Sequence, residues 1–150
     1  MYRKEYNSLV SDLATECQVS CYDLYGHTHT ETCWGIWDTG SYRTVISTEL
    51  ANRLGVNVEQ TTHRVNAIKS SQAAGMAMVN IRLEDLYFPF LRVLVIDYEV
   101  ENHPDILIGM DIICQGCLEV VSLSGNTIVS FDVRRDKEGN PILQTMIYDD

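Results

Sequence analysis

One carboxylate in this chain is presented in a way that invites chemistry. Asp38 follows Trp37 at the end of an apolar lead-in, is succeeded by Thr39, Gly40 and Ser41, and is soon followed by the apolar pair Val45-Ile46. Asp, Gly and Ser are common turn residues, so the segment reads as a tight turn carrying a carboxylate out of a hydrophobic strand. A plain surface β-turn has the same composition and stands as the alternative. An ionised carboxylate can take a proton from water and a neutral one can donate a proton, so two that share one proton can act as base and acid together. Close like charges cannot both ionise, and their two apparent pKa values then separate and belong to the pair. The chain holds a single Asp-Thr-Gly; Asp111, after Gly109 and Met110, lies in a different context.

The elements that must position Asp38 are mostly strands. A first strand is expected from Val19 to Leu24, a turn at Tyr25-Gly26-His27, and a return strand from Thr30 to Trp37 that delivers Asp38. Ser47 can cap a short helix from Thr48 to Leu54, with Leu50, Ala51 and Leu54 on one face and Gly55 as its stop. From Val65 to Leu83 two strands are expected around a polar tip, Lys69 to Gly75; Val79, Ile81 and Leu83 alternate with Asn80 and Arg82 as in a half-buried strand. Leu91–Ile96 and Ile106–Ile108 read as buried strands. Leu118–Leu123 and Thr127–Val133, joined by Ser124-Gly125-Asn126, read as a hairpin. A short helix is expected within Asn7–Leu13. The charged, turn-rich stretch Arg134–Asn140 precedes Pro141–Tyr148, which has the makings of an edge strand.

Downstream of the Asp38 turn lies Asp105-Ile106-Leu107-Ile108-Gly109-Met110-Asp111-Ile112-Ile113, an apolar strand closed by a glycine and a turn. These two segments, in this order and spacing, resemble the retropepsin-like family, the single-lobe aspartic proteases of retroviruses, retroelements and some bacterial proteins. The resemblance spans Val19 to Val133. It implies a mostly β, single-lobe acid-protease fold with one or two short helices, comprising residues 19–133, with an N-terminal extension (1–18) and a C-terminal segment (134–150).

The same resemblance implies an aspartic endopeptidase acting on extended polypeptides. With one Asp-Thr-Gly per chain, the catalytic pair must come from two copies of Asp38 in a homodimer, and a two-fold axis can bring one residue to itself. Catalytic roles then fall to Asp38, Thr39, Gly40 and Ser41. Gly40 permits the turn, Thr39 matches the threonine that braces the two loops across the dimer, and Ser41 can donate to the outer carboxylate oxygen. Leu107, Ile108 and Gly109 pack behind the loop. Ser70, Ser71, Gln72, Ala73, Ala74 and Gly75 would form the flap tip over substrate, although that tip has fewer glycines than family flaps. This departure keeps a second reading open, a catalytically inactive dimerisation or peptide-binding module.

Bulk properties set the remaining bounds. A chain of 150 residues, 45% hydrophobic and 21% charged, suits one soluble domain. Its formal net charge of -10 argues against a general affinity for nucleic acid. No apolar stretch suggests a membrane span, and the N-terminus lacks the apolar core of a secretion signal, so a cytoplasmic location is expected. Five cysteines cannot all pair internally. Cys17, Cys21, Cys114 and Cys117 invite a zinc reading, and His27, His29 and Cys33 a rival cluster, but free thiols and turn histidines are the expectation, with no metal or organic cofactor. Trp34 and Trp37 are expected in the core; Tyr42 and Arg43 are expected to face solvent.

Overall fold

The computed structural model describes residues 1–10, 12–67 and 70–144, with side chains described outside 62–74. These residues form, in order, β1 (Tyr2–Tyr6), β2 (Ala14–Tyr22), β3 (Thr28–Trp37), β4 (Val45–Ser47), α1 (Thr48–Leu54), β5 (Glu59–Ala67), β6 (Ser70–Leu83), β7 (Leu86–Ile96), β8 (Ile106–Ile108), α2 (Met110–Ile113), β9 (Gly116–Leu123) and β10 (Asn126–Val133). The fold is mostly β, as expected, with two short helices among the described residues.

The strands make two sheets. The smaller is antiparallel in the order β1-β10-β9. The larger runs β2-β3-β8-β4-β7-β6-β5, and a further β2–β6 pairing curls it back on itself, leaving β5 outside the ring. Within it β3–β8 and β4–β7 are parallel. β8 therefore lies between β3 and β4, and the connection from Asp38 to Thr44 passes over its end.

Residue choice explains these pairings. β10 alternates strictly, with Thr127, Val129, Phe131 and Val133 buried, because one face of its sheet covers the core. The end of β7, Val93 to Ile96, is buried on successive residues. Val93 and Val95 enter the main core, while Leu94 and Ile96 join Val45 and Met76 in a second cluster edged by Tyr98 and Leu107. A strand covered on both faces loses its alternation. The two sheets are joined by aromatic packing: Trp37 lies 5.0 Å from Phe131 and 5.9 Å from Tyr2 between ring centroids.

α1 has the expected bounds. Ser47 Oγ accepts the Leu50 N–H at 3.1 Å, and Gly55 ends the helix at φ 66° with its N–H turned back to the carbonyls of Ala51 and Asn52. The β9–β10 turn has positive φ at both Ser124 (53°) and Gly125 (82°), as the tightest hairpin turns require.

Elsewhere the structure corrects the sequence reading. The described part of Asn7–Leu13 is bend and loop rather than helix, and β2 starts at Ala14, earlier than Val19. Residues 2–6 form β1, held by pairing with β10 from the far end of the chain. Ser70 to Gly75 do not form a loop tip: their backbone lies in β6, with Ser70 opposite Ala67 and Gly75 opposite Gln60. Arg43 is buried, not solvent-facing, and Trp34 is half exposed, with Lys4 Nζ 4.6 Å above its ring. Of Pro141–Tyr148, Pro141 makes an isolated bridge to Arg135 and residues 145–148 lie outside the described residues. No described helix is long and apolar enough to cross a membrane.

Candidate active site

Asp38 stands where β3 leaves the sheet. Trp37 is fixed in the core and paired with Ile108 of β8, so the strand ends on a rigid footing. The Asp38 N–H donates to the Ile108 carbonyl at 2.9 Å, which continues the parallel ladder by one bond. Beyond it the chain turns at once. The Gly40 N–H donates to Asp38 Oδ1 at 2.9 Å and the Ser41 N–H to the Asp38 carbonyl at 3.2 Å. A Cβ on Gly40 would stand 3.2 Å from Asp38 Oδ1, so glycine here leaves room for the carboxylate. Asp38 is half-buried, while Thr39 and Gly40 are exposed.

The loop is braced from behind by the segment after β8. The Met110 N–H donates to the Ser41 carbonyl at 2.7 Å. Gly109 lies so close that a Cβ would fall 2.4 Å from both the carbonyl carbon and oxygen of Arg43 and 2.8 Å from the Ser41 oxygen. Glycine is required there by contact with backbone that cannot swing aside. The Gly109 N–H donates to Thr44 Oγ1 at 3.1 Å, and Thr44 in turn donates to the fully buried Asp111 through its own N–H (3.0 Å) and hydroxyl (2.6 Å). Asp111 also accepts the Ile112 N–H at 3.0 Å. A buried carboxylate needs donors of this kind, and the two from Thr44 tie the return of the Asp38 loop to α2.

Ser41 is placed differently from expectation. Its hydroxyl donates to the Arg43 carbonyl at 2.6 Å, and a hydroxyl has one proton to give. In this arrangement Ser41 stiffens the loop from within. Leu107 and Ile108 stand directly behind it, Ile108 in the main core and Leu107 against the second apolar cluster.

Three features escaped sequence reasoning. Asp111 is a brace, and its position two residues after the closing glycine was the available signal. Buried Arg43 approaches Met76 of β6, Nη1 to Sδ at 3.9 Å, and so links the loop to the base of the β5–β6 hairpin. Tyr98 edges the second cluster and stacks on His103 with centroids 4.5 Å apart. Burial, then the negative charges of Asp38 and Glu49, push its phenol up to about 12. Of the expected substrate-binding residues, the side chains of Ser70, Ser71, Gln72, Ala73 and Ala74 lie outside the described ones. Gly75 is described, half-buried and paired with Val95 of β7.

The thiols do not converge on a metal. Cys17 and Cys33 face each other across β2 and β3 with Sγ atoms 3.9 Å apart, Cys21 is buried further along β2, and Cys114 and Cys117 are exposed. Among the described residues no three His, Cys, Asp or Glu side chains are grouped as a metal site. His27 and His29 both lie beside Asp23 at the exposed β2–β3 turn, at 3.4 and 3.1 Å.

A family profile described as aspartyl protease matches residues 26–112, more than half the chain and including the whole Asp38 loop with its brace. Among solved structures, the fold is similar to EIAV protease in complex with the inhibitor HBY-793. That match has TM-score 0.51 and 21% identity, covering 73% of this chain and 90% of the other. A retropepsin-like aspartic protease from Rickettsia conorii matches with TM-score 0.48 and 14% identity over 81% of this chain and 96% of that one. The retroviral protease-like domain of Ddi1 from Leishmania major gives 0.46 and 18% over 82% and 95%. Among curated protein sequences none matches.

Proposed function

Because the chain belongs to the aspartyl protease family, we propose that it is a homodimeric aspartic endopeptidase whose catalytic pair is Asp38 and the same residue of a second copy. One water sits between the two carboxylates. The ionised member takes its proton as the water attacks the scissile carbonyl, and the neutral member donates to the carbonyl oxygen. Shared-proton carboxylates are the established behaviour of aspartic proteases, and activity falls when both members are ionised or both protonated.

The observation that carries this reading is the construction of the Asp38 turn. A catalytic carboxylate has to be held still, and this one is fixed by Trp37 in the core, by the Ile108 carbonyl and by the Gly40 N–H. Substrate would lie as an extended strand between this loop and the β5–β6 hairpin, bound largely through backbone hydrogen bonds. Thr39, exposed at the loop tip, is assigned to the contact between the two loops. A cytoplasmic location accords with the free thiols.

Ser41 favours a second reading. With its proton committed to Arg43, Ser41 leaves Asp38 without the expected donor, which suits a dimerisation or peptide-binding module without turnover. The two readings separate on cleavage of a diverse peptide mixture from acidic to neutral pH, with Asp38→Asn beside wild type. Cleavage by wild type alone, with both proteins equally folded and dimeric, is the expected result. Equal cleavage by Asp38→Asn removes the peptidase reading, and silence from both at high concentration favours the binding module.

A further inference from the structure

β2 is paired on both sides for only part of its length. All of it lies against β3, but β6 joins the other side only from Gln18 to Ser20, with Gln18 opposite Arg82. The next rung in that register would set Glu16 opposite Glu84, and like charges directly opposite are unfavourable. β6 instead ends at Leu83, and the chain turns at Glu84 with φ 52°. Where the strands part there is a cleft of about 450 Å³, with Arg3 and Lys4 of β1, Glu16 of β2, Trp34 of β3, Arg82 and Glu84 in its walls. That volume is in the range of small-molecule sites. No residue of the Asp38 loop lines it.

Two cations in this cleft are held in place without being neutralised. Lys4 Nζ lies 4.6 Å from the Trp34 ring centroid and 5.0 Å from that of Tyr6, and the Arg82 guanidinium lies 4.7 Å from that of Tyr87. A ring face attracts a cation and leaves its N–H donors unused. Among the described residues neither Lys4 nor Arg82 makes an ion pair, whereas the Arg3 guanidinium lies 3.6 Å from Glu5. In a chain of net charge -10 carboxylates are plentiful, yet these two cations are kept from them. Trp34 is 50% exposed and offers a flat surface beside Lys4. The β2 backbone adds a donor. The Asp23 N–H bonds the His27 carbonyl, and bonded pairs alternate from there, so Glu16 turns its N–H and C=O away from β3. Gln18 and Ser20 meet β6 on that side; Glu16, beyond the end of β6, has an open edge.

We propose that this cleft binds a small, hydroxyl-bearing organic anion of at least two negative charges. The ammonium of Lys4 and the guanidinium of Arg82 take the charged groups through charge-assisted hydrogen bonds, and the Glu16 N–H adds a main-chain donor. The body of the ligand lies against Trp34. Glu16 and Glu84 set the selectivity: their carboxylates only accept hydrogen bonds, so they repel a bare inorganic anion and favour one whose body carries hydroxyl donors. Sugar phosphates and hydroxylated polycarboxylates share this chemistry. The site is separate from the Asp38 loop, and the proposal stands or falls independently of the peptidase reading.

Titration of the full, isotopically labelled chain, followed by amide and indole NMR signals, reads the proposal directly. The probes are glucose 6-phosphate and citrate, with sulfate as the bare dianion and glucose as the uncharged control. Saturable shifts of the Glu16 amide and the Trp34 indole N–H are expected with glucose 6-phosphate or citrate, while the Asp38 and Gly40 amides stay in place. Whichever of the two binds more tightly identifies the class of ligand. Sulfate should bind about tenfold more weakly or worse, and glucose not at all. Lys4→Gln and Arg82→Gln should each weaken binding by about tenfold or more, as loss of a charge-assisted contact requires. Glu84→Gln should narrow the gap between sulfate and the hydroxylated anions. No saturable shift in the wild-type protein with either anion, binding of sulfate as tight as theirs, or binding indifferent to both Lys4→Gln and Arg82→Gln overturns the proposal.

Discussion

Thr44 gives both of its donors to Asp111: the backbone N–H lies 3.0 Å from each carboxylate oxygen and the hydroxyl 2.6 Å from one. This pair fastens the far end of the Asp38 loop to α2, across a sequence separation of 67 residues. Asp111→Ala strands a buried N–H and a buried hydroxyl, each worth about 1–3 kcal/mol when left unsatisfied. Chemical denaturation should show a loss of about 2–4 kcal/mol, with peptide turnover falling in step. Thr44→Val, which leaves the backbone donor in place, should lose less. Equal stability of Asp111→Ala and wild type would show that the brace is idle.

Gly109→Ala tests contact rather than bonding. The new Cβ would meet Arg43 backbone at 2.4 Å, and backbone cannot rotate out of the way. A loss of roughly 1–3 kcal/mol or more is expected, together with displacement of the Asp38 turn. Gly75→Ala is the matched comparison, because its 2.4 Å neighbour is the end of the Val58 side chain. Thermal unfolding of the two variants should rank Gly109→Ala clearly below Gly75→Ala.

The cysteines divide cleanly by access. Cys17, Cys21 and Cys33 are buried, and Cys114 and Cys117 are exposed. The hydrogen bond with Cys33, then burial, pushes the Cys17 thiol well up from its ordinary value, and a protonated thiol is a poor nucleophile. Titration of the native protein with a thiol reagent should modify Cys114 and Cys117 quickly and the other three only on unfolding. Rapid native labelling of Cys17 would contradict the packing of β2 on β3.

One acid-sensitive contact can be isolated on the small sheet. The Arg135 guanidinium, 3.0 Å from Asp132 Oδ1, holds that carboxyl below its ordinary value. A carboxylate depressed in the folded state adds stability above its unfolded pKa, and that stability is lost as pH falls through the folded value. Both side chains are partly exposed, which limits the effect to a few tenths of a kcal/mol. Asp132→Asn should therefore be slightly less stable than wild type near neutrality, with the gap closing below about pH 4 and narrowing in salt. A gap that persists at low pH would assign the contact to packing rather than charge.

Local signals were legible and non-local ones were not. Ser47 and Gly55 marked both ends of α1 because a cap acts within one turn of its own residue. Ile106–Ile108 and the Ser124-Gly125 turn were readable for the same reason. β1 was missed because Arg3, Lys4 and Glu5 show no strand preference of their own; their conformation comes from β10. Within the site, Asp38 and Gly109 stood out by type and context. Arg43 did not, since its burial depends on Gly109 against its backbone and Met76 beside its guanidinium, two contacts made from different elements.

The placement of β8 between β3 and β4 has a consequence in time. Asp38 and the turn after it are synthesised early, but the strand they arch over, the carbonyl that receives the Asp38 N–H and the glycine against Arg43 all emerge much later. A chain leaving the ribosome N-terminus first carries its aspartate on an unsupported loop until β8 and α2 thread beneath it. Such long-range closure is slow by nature. It makes the Asp38 loop a product of the finished domain, so that neither a nascent chain nor a fragment ending before residue 109 carries the loop in its braced form.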